Sequence, residues 1–146
     1  MIKSSLVLLI ASSLFLQARS CITSKYSVYI VSNLPPDSPP LLVHCISKND
    51  DLGYHSLAPN VEYRFAFCEN PFATMFSCRF RWGDKDRGFH VYDADWAENR
   101  CKDYHNGVCY YAVKSDGFYF SGRHPPKDFA FLCDWNPNSD CKVRLS

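Results

Sequence analysis

The stretch MFSCRFRW, residues 75–82, carries the pattern that decides the fold. One set of alternate positions holds large aromatic residues and a cysteine, Cys78, while the other set includes a serine and two arginines. Successive side chains of a β-strand point to opposite faces of the sheet. The alternation therefore predicts a strand with one face in an apolar core and the other in solvent, and it places Cys78 in the core.

The same alternation recurs along the chain in short segments that are separated by turn-forming residues. The predicted strands are 26–32, 41–47, 61–67, 75–82, 89–93, 108–115, 118–121 and 129–135. Asp116-Gly117 suits the positive φ angles of a tight hairpin turn, and only residues 94–102 suggest a helical turn. Short strands spaced by about ten residues predict an all-β fold, an antiparallel sandwich or barrel.

The first 20 residues have the features of a cleavable secretory leader. Lys3 gives a positive start, residues 6–16 are apolar, and Ala18-Arg19-Ser20 supplies small residues before a cleavage site that we place ahead of Cys21, with a cut after Ala18 as the alternative. The apolar run is shorter than the roughly 20 residues of a membrane span. We expect residues 21–146 to form one domain, secreted and not inserted in a membrane.

Acidic and basic residues are interspersed and nearly balanced. The chain has 16 Lys and Arg against 15 Asp and Glu, and removal of the leader with Lys3 and Arg19 leaves 14 against 15, a net charge of −1. No basic run is present to attract a polyanion, so nucleic acid and anionic membranes are not expected partners. We expect a monomer.

Eight cysteines indicate a disulfide-stabilised extracellular protein. The closest neighbours in sequence, Cys101 with Cys109 and Cys133 with Cys141, are farther apart than the C-x₂-C pairs of structural zinc sites, so we predict no metal and no other cofactor. Strand phase suggests an inner set that clips the sheets together and an outer set that tethers the chain ends. The inner set is Cys45, Cys78, Cys101 and Cys109, and the outer set is Cys21, Cys68, Cys133 and Cys141. The pairing stays open, because eight cysteines allow 105 connectivities.

Catalytic patterns are weak, and we predict no catalytic residues. The five histidines, His44, His55, His90, His105 and His124, could supply an acid–base pair, but no ribonuclease signature surrounds any of them. Asp50-Asp51 and Asp93-x-Asp95 could flank a glycosidic bond, although aspartate near glycine is ordinary turn chemistry. No nucleophile elbow or phosphate-binding loop occurs. A secreted hydrolase, ribonuclease-like or glycosidase-like, remains the alternative to a non-enzyme.

Several motifs taken together resemble the plant self-incompatibility S-protein homologue family. In order they are H-C-x-S-K-x-D-D-L-G at 44–53, Y-x-F-x-F at 63–67, F-x-C-x-F-x-W at 76–82, the cysteines at 101 and 109, and D-G-F-Y at 116–119. The resemblance implies a small secreted antiparallel β-sandwich with two core disulfides, Cys45–Cys109 and Cys78–Cys101. Tyr111 stands where the family usually has tryptophan.

The family's best understood members are pistil-secreted ligands that a pollen membrane protein recognises, so that self pollen is rejected. The resemblance therefore implies a secreted ligand for a cell-surface protein receptor, with a defence-related inhibitor as an alternative. Because strands supply the core, we predict recognition by the loops at 34–40, 48–60, 83–88 and 122–128. The candidate recognition residues are Asp37, Asp50, Asp51, Tyr54, Lys85, Arg87, Arg123 and Lys127.

Overall fold

The computed structural model describes residues 21–70, 74–103 and 106–142, and the predicted leader lies outside them. Within these ranges the chain forms ten strands and one helix. In chain order they are β1 (Lys25–Ser32), β2 (Leu41–Ile46), β3 (Asp51–Leu57), β4 (Glu62–Cys68), β5 (Met75–Trp82), β6 (Lys85–Asp93), α1 (Ala94–Arg100), β7 (Lys102–Asp103), β8 (Asn106–Lys114), β9 (Gly117–Ser121) and β10 (Ala130–Cys133).

The strands form two sheets. The six-stranded sheet has the order β10-β9-β8-β1-β4, with β7 paired to β8, and the four-stranded sheet has the order β3-β2-β5-β6. All pairs are antiparallel except the central pair of β1 with β8, which is parallel. The predicted antiparallel β-sandwich is confirmed, with this one parallel pair at the centre of the larger sheet.

Aromatic side chains join the two sheets. Phe80 of β5 lies 5.1 Å from Phe118 of β9 between ring centroids, and Phe67 of β4 lies 4.5 Å from Phe76 of β5. Phe76, Cys78 and Phe80 are all buried, as the alternation in 75–82 predicts. Pairs of this kind stabilise a fold by about 0.5–1.5 kcal/mol beyond the burial of their area.

The predicted helical turn is confirmed as α1. Its N-cap is Asp93, whose side chain accepts a hydrogen bond from the backbone N–H of Asp95 at 2.9 Å, and Arg100 lies in the last turn. Such a cap stabilises a helix by about 1 kcal/mol. Burial of Ala97 fixes α1 against the core. No helix within the described ranges is long and apolar enough to cross a bilayer.

The structure contradicts the disulfide pairing implied by the family resemblance. Cys45 is bonded to Cys78, and Cys101 is bonded to Cys109. Cys45 and Cys78 are direct partners in the register of β2 with β5, so their bond lies within the four-stranded sheet. Cys101 follows α1, and its carbonyl accepts a hydrogen bond from Val108, beside Cys109. The prediction that these cysteines clip the two sheets together is therefore wrong.

The outer cysteines tie chain segments to strands. Cys21, which precedes β1, is bonded to Cys68 at the end of β4, and Cys133 of β10 is bonded to Cys141. Each bridge thus joins two members of the same predicted set. None of the cysteines that the structure describes is a free thiol.

Candidate interaction surfaces

Two of the four predicted recognition loops are largely strand. Residues 48–60 contain β3, and residues 83–88 contain the start of β6, which leaves only Gly83-Asp84 as the turn after β5. Gly83 has φ 59°, the left-handed conformation that glycine adopts without steric cost. The polar sequence of β3 did not predict a strand, because β3 is an edge strand whose alternate side chains face solvent.

The predicted recognition residues do not converge on one site. Asp37 precedes β2 and Asp50 follows it, so they lie at opposite ends of that strand. Lys85 lies at the same end as Asp37, because the β5–β6 hairpin turns there. Asp51 and Tyr54 belong to β3, and their side chains lie beside β2.

Arg87 is not an accessible recognition residue. Its side chain is only 5% exposed, because β6 directs it inward opposite Phe80. The guanidinium donates hydrogen bonds to the carbonyls of Asn136 and Ser139 and to the Ser139 hydroxyl. Arg87 therefore holds the segment after β10 against β6, and the prediction that it lies in a recognition loop is wrong.

The outward surface of the four-stranded sheet carries exposed apolar and charged side chains, and we call it the open face. Its members are Leu42, His44, Ile46, Asp51, Tyr54, Ser77, Arg79, Arg81, Asp86, Gly88 and His90. Leu42 is 42% exposed, Ile46 is 44% exposed and Tyr54 is 77% exposed. The sequence contained a signal for this surface, since Leu42 and Ile46 leave β2 apolar on both faces.

A histidine and an aspartate are linked on the open face. His44 Nε2 lies 2.7 Å from Asp51 Oδ1, and the His44 ring stacks on Tyr54 with centroids 4.1 Å apart. The backbone N–H of Gly53 donates to the same Asp51 oxygen at 2.9 Å. These donors, Gly53 first and His44 second, lower the pKa of Asp51. Oδ1 of Asp51 therefore accepts two hydrogen bonds from within the protein.

Two arginines share one carboxylate at the next strand pair. Arg79 Nε donates to Asp86 Oδ1 at 2.8 Å, and its NH2 group donates to Oδ2 at 3.2 Å. The Arg81 Nε atom lies 3.8 Å from Asp86 Oδ2, which is too far for a hydrogen bond. Both arginine side chains are 64% exposed. Donor groups of Arg81 thus remain available to an external ligand.

Two depressions cross the open face. The larger, of about 520 Å³, lies over Gly88 and is bordered by Ile46 and His90. The smaller, of about 110 Å³, lies between Leu42, Tyr54 and Arg81. His44 and Arg79 line both depressions, so the two are adjacent.

The corresponding surface of the six-stranded sheet is covered by residues 122–129, and we call it the covered face. Its central side chains are Tyr29, Tyr110, Ala112 and Ser121, with His124 and Phe129 lying over them. The His124 ring stacks on Tyr29 with centroids 4.4 Å apart, and Phe129 lies 5.9 Å from Tyr110. Tyr110 is only 4% exposed as a result.

Polar contacts hold this covering segment in place. The Ser121 hydroxyl donates to the Lys127 carbonyl at 2.9 Å and accepts from the Lys127 N–H at 3.2 Å. The Tyr110 hydroxyl donates to Glu62, and burial, followed by this carboxylate, raises the pKa of Tyr110. Residues 122–128, predicted as a recognition loop, therefore serve to bury the sheet, while the Arg123 side chain is exposed.

The histidines do not gather into one cluster. His44 and His90 line the larger depression, whereas His124 lies on the covered face. His55 stacks on Tyr63 with centroids 4.0 Å apart, and His105 lies outside the described residues. Among the residues that the structure describes, no three His, Cys, Asp or Glu side chains are placed to hold a metal ion.

Known proteins resemble the chain in sequence and in fold. Residues 27–135 match the family model described as plant self-incompatibility protein S1. S-protein homolog 4 of Arabidopsis thaliana is 37% identical over 117 residues, which cover 77% of this chain and 74% of that protein. S-protein homolog 5 of Arabidopsis thaliana is 40% identical over 80 residues, which cover 54% of this chain and 59% of that protein, so the chain matches little more than half of the latter's length.

A solved structure shares the fold. It is described as a self-incompatibility protein homologue from a widespread family of small, highly stable, secreted plant proteins. The match has a TM-score of 0.56 and 20% identity, and it covers 73% of this chain and 92% of the solved chain.

Proposed function

We propose that this chain, which belongs to the plant self-incompatibility protein S1 family, is a secreted plant signalling ligand that binds a cell-surface protein. The observation that carries the proposal is the match of the family model to residues 27–135, which span both sheets. The solved relative is described as a secreted protein. Four disulfides are also typical of a small domain built for an oxidising compartment.

The physical design of the chain supports a binding role. A bridged sandwich is rigid, so it can present surface side chains without a large loss of conformational entropy on binding. The open face supplies such side chains, including aromatic Tyr54 and the guanidinium of Arg81. Aromatic residues and arginine are enriched at the centres of protein interfaces.

Binding to plant cells tests the proposal. Oxidised, labelled protein is titrated onto plasma-membrane vesicles from the plant tissue that expresses it, and bound label is measured with and without excess unlabelled protein. We expect saturable, competed binding that is lost when the vesicles are first treated with protease. Reduced and alkylated protein is the matched control. Binding that never saturates, or that survives protease treatment, would contradict a protein receptor.

Pollen–pistil recognition is the narrower form of this proposal. Expression in stigma, together with arrest of pollen-tube growth by added protein, would support it. Expression confined to roots or developing seeds would count against it, while leaving the broader ligand proposal intact.

Hydrolysis is a second candidate function, favoured by one observation. His44 and His90 line the same depression, and Asp51 holds the His44 ring, an arrangement that enzymes use to orient a general base. Purified oxidised protein should be assayed on RNA, cell-wall glycans and peptides beside the His90→Ala variant. Turnover that this substitution abolishes would replace the ligand proposal with an enzyme.

A further inference from the structure

We infer that the open face binds an extended, acidic segment of a partner protein, with an apolar side chain over Leu42 and Tyr54 and a carboxylate on Arg81. This inference rests on the proposed function and gives it a site. It also moves recognition from the loops to a sheet surface.

The first support is the unusual exposure of apolar side chains on a strand that lies inside the sheet. β2 lies between β3 and β5, yet Leu42 and Ile46 are each more than two-fifths exposed on its outward side. Tyr54 extends this apolar surface on the neighbouring strand and is 77% exposed. A partner that covers these side chains would remove apolar surface from water, which favours association.

The second support is the balance between donors and acceptors. The Asp51 carboxylate accepts from His44 and Gly53, and the Asp86 carboxylate accepts twice from Arg79. Arg81 makes no hydrogen bond to Asp86, and its guanidinium is exposed. Arg81 therefore has donor capacity left, which a carboxylate satisfies in the bidentate geometry that arginine favours.

The third support is the shape of the surface. The small depression beside Arg81 and the larger one over Gly88 share His44 and Arg79 as a common border. Leu42 and Ile46 mark the two ends of this region along β2, a distance of about 13 Å at 3.3 Å per residue. An extended segment of about five residues covers that distance, so it can place one side chain in each depression.

Gly88 allows the larger depression to be filled without disturbing the fold. A Cβ atom at this position would meet the Cys78 carbonyl oxygen at 3.5 Å and the Arg79 NH1 atom at 3.9 Å, both ordinary contacts. Gly88 is also exposed on a strand, so a larger side chain there projects from the open face. We therefore expect Gly88→Leu to fold and to block this part of the open face.

A peptide titration tests the inference directly. The probe is a synthetic peptide of about ten residues with the repeat Leu-Leu-Asp-Asp, which places both residue types on each face of an extended strand and is long enough to cross the open face. Its counterpart carries Lys in place of Asp. Isothermal titration calorimetry is run on wild-type protein and on Arg81→Gln, Gly88→Leu and Arg64→Gln. Arg64 is an exposed arginine on β4 of the other sheet, and its substitution controls for the loss of one charge.

We expect the acidic peptide alone to bind, and Arg81→Gln and Gly88→Leu each to weaken binding about tenfold, the equivalent of 1.4 kcal/mol, while Arg64→Gln leaves it unchanged. Equal binding of both peptides, no binding of either, or full binding by both face variants would overturn the inference.

The same variants separate this inference from the proposed function. If wild-type protein binds vesicles and both face variants bind equally well, the open face is not the site, although the ligand proposal stands. If the acidic peptide binds but vesicles do not, the ligand proposal fails while the site remains.

Discussion

The open face and the covered face are the two outward surfaces of one sandwich, but they differ in their exposure to solvent. On the covered face, residues 122–129 lie over the sheet, and Tyr110 is 4% exposed. On the open face no comparable segment lies over β2, and Tyr54 is 77% exposed within the part of the chain that the structure describes. Both tyrosines stack on a histidine, but Tyr54 lies on the edge strand β3, whereas Tyr110 lies on the interior strand β8 beneath the covering segment.

In this protein, loop residues help to bury a sheet surface, and strand residues form the accessible surface. Loops generally carry recognition because strands are occupied by the core. In this protein the loop between β9 and β10 contributes to burial, whereas strand residues such as Arg81 and Leu42 stay accessible. Substitutions on the covered face should therefore reduce stability, and substitutions on the open face should reduce binding.

The largest effect is expected for Tyr110→Ala. This change removes a buried ring that contacts Tyr29 and Phe129 and a hydroxyl that bonds Glu62, so we expect a loss of about 3–5 kcal/mol in the free energy of unfolding. Tyr54→Ala is the matched open-face control and should cost less than about 1 kcal/mol. Chemical denaturation of both variants measures the difference, and equal losses would contradict the contrast between the faces.

A smaller effect is expected for His124→Ala. The change removes the stack on Tyr29 and the contact with Tyr110, which we expect to cost about 0.5–1.5 kcal/mol. It should also increase the accessibility of Tyr110, measured by nitration and peptide mapping. His44→Ala, which removes the equivalent stack on Tyr54, is the control and should leave Tyr110 protected.

A smaller loss of stability is expected at alkaline pH. Ionisation of Tyr110 on the covered face should contribute to the fall in the free energy of unfolding. Burial and then Glu62 raise the pKa of Tyr110, so ionisation is more costly in the folded state than in the unfolded chain. The stabilisation is complete below the ordinary tyrosine pKa of about 10 and declines as pH rises above it. Tyr110→Phe should make the unfolding free energy fall less steeply between about pH 10 and 11.

Core tyrosines contribute to the same alkaline decline, so only the difference between wild type and Tyr110→Phe is informative. Burial, with Glu69 as the next cause, raises the pKa of Tyr26 to about 12, and burial also raises the pKa of Tyr111. Tyr54→Phe controls for loss of an exposed phenol. An unchanged slope in Tyr110→Phe would show that the covering segment does not shield this hydroxyl.

The smallest effect on stability is expected for Leu42→Ser combined with Ile46→Ser. Both side chains are largely exposed on the open face, so the free energy of unfolding should change by less than about 1 kcal/mol. Binding to the vesicles described above should nevertheless fall. A large loss of stability would show that these side chains support the fold, and unchanged binding would remove them from the proposed site.

Local alternation predicts a strand well where the core-facing residues are large. Residues 75–82 became β5 with the predicted face buried. The predicted hairpin between β8 and β9 is present, but its turn is Ser115-Asp116, one residue earlier than predicted, because Gly117 already pairs with Lys114 as the first residue of β9. β3 was not predicted, because an edge strand with Asp51 and His55 lacks a continuous apolar face. Sequence phase correctly placed Cys45 and Cys78 inside, but it carries no information on which strands become neighbours, so their pairing was missed.

The candidate site was harder to predict than the fold for the same reason. Arg87 resembles a loop residue in sequence, and only its tertiary contact with Ser139 shows that it is an internal support. Arg81 and Tyr54 are more than 25 residues apart along the chain and lie on one surface because β2 lies between their strands. A composite surface of this kind follows from sheet order, which local pattern does not specify.

The parallel pairing of β1 with β8 has a consequence for how the protein is made. Lys25 pairs with Asn106 and Ser32 with Val113, so the centre of the larger sheet joins the beginning of the domain to a late segment. Contacts of such high sequence separation slow folding, because the loop-closure entropy is lost before the pairing compensates for it. During synthesis β1 cannot pair with β8 until most of the chain has been made. Until then the apolar residues of β1 can associate with incorrect partners. This protein should therefore depend on chaperones during the interval between the synthesis of its first strand and its eighth.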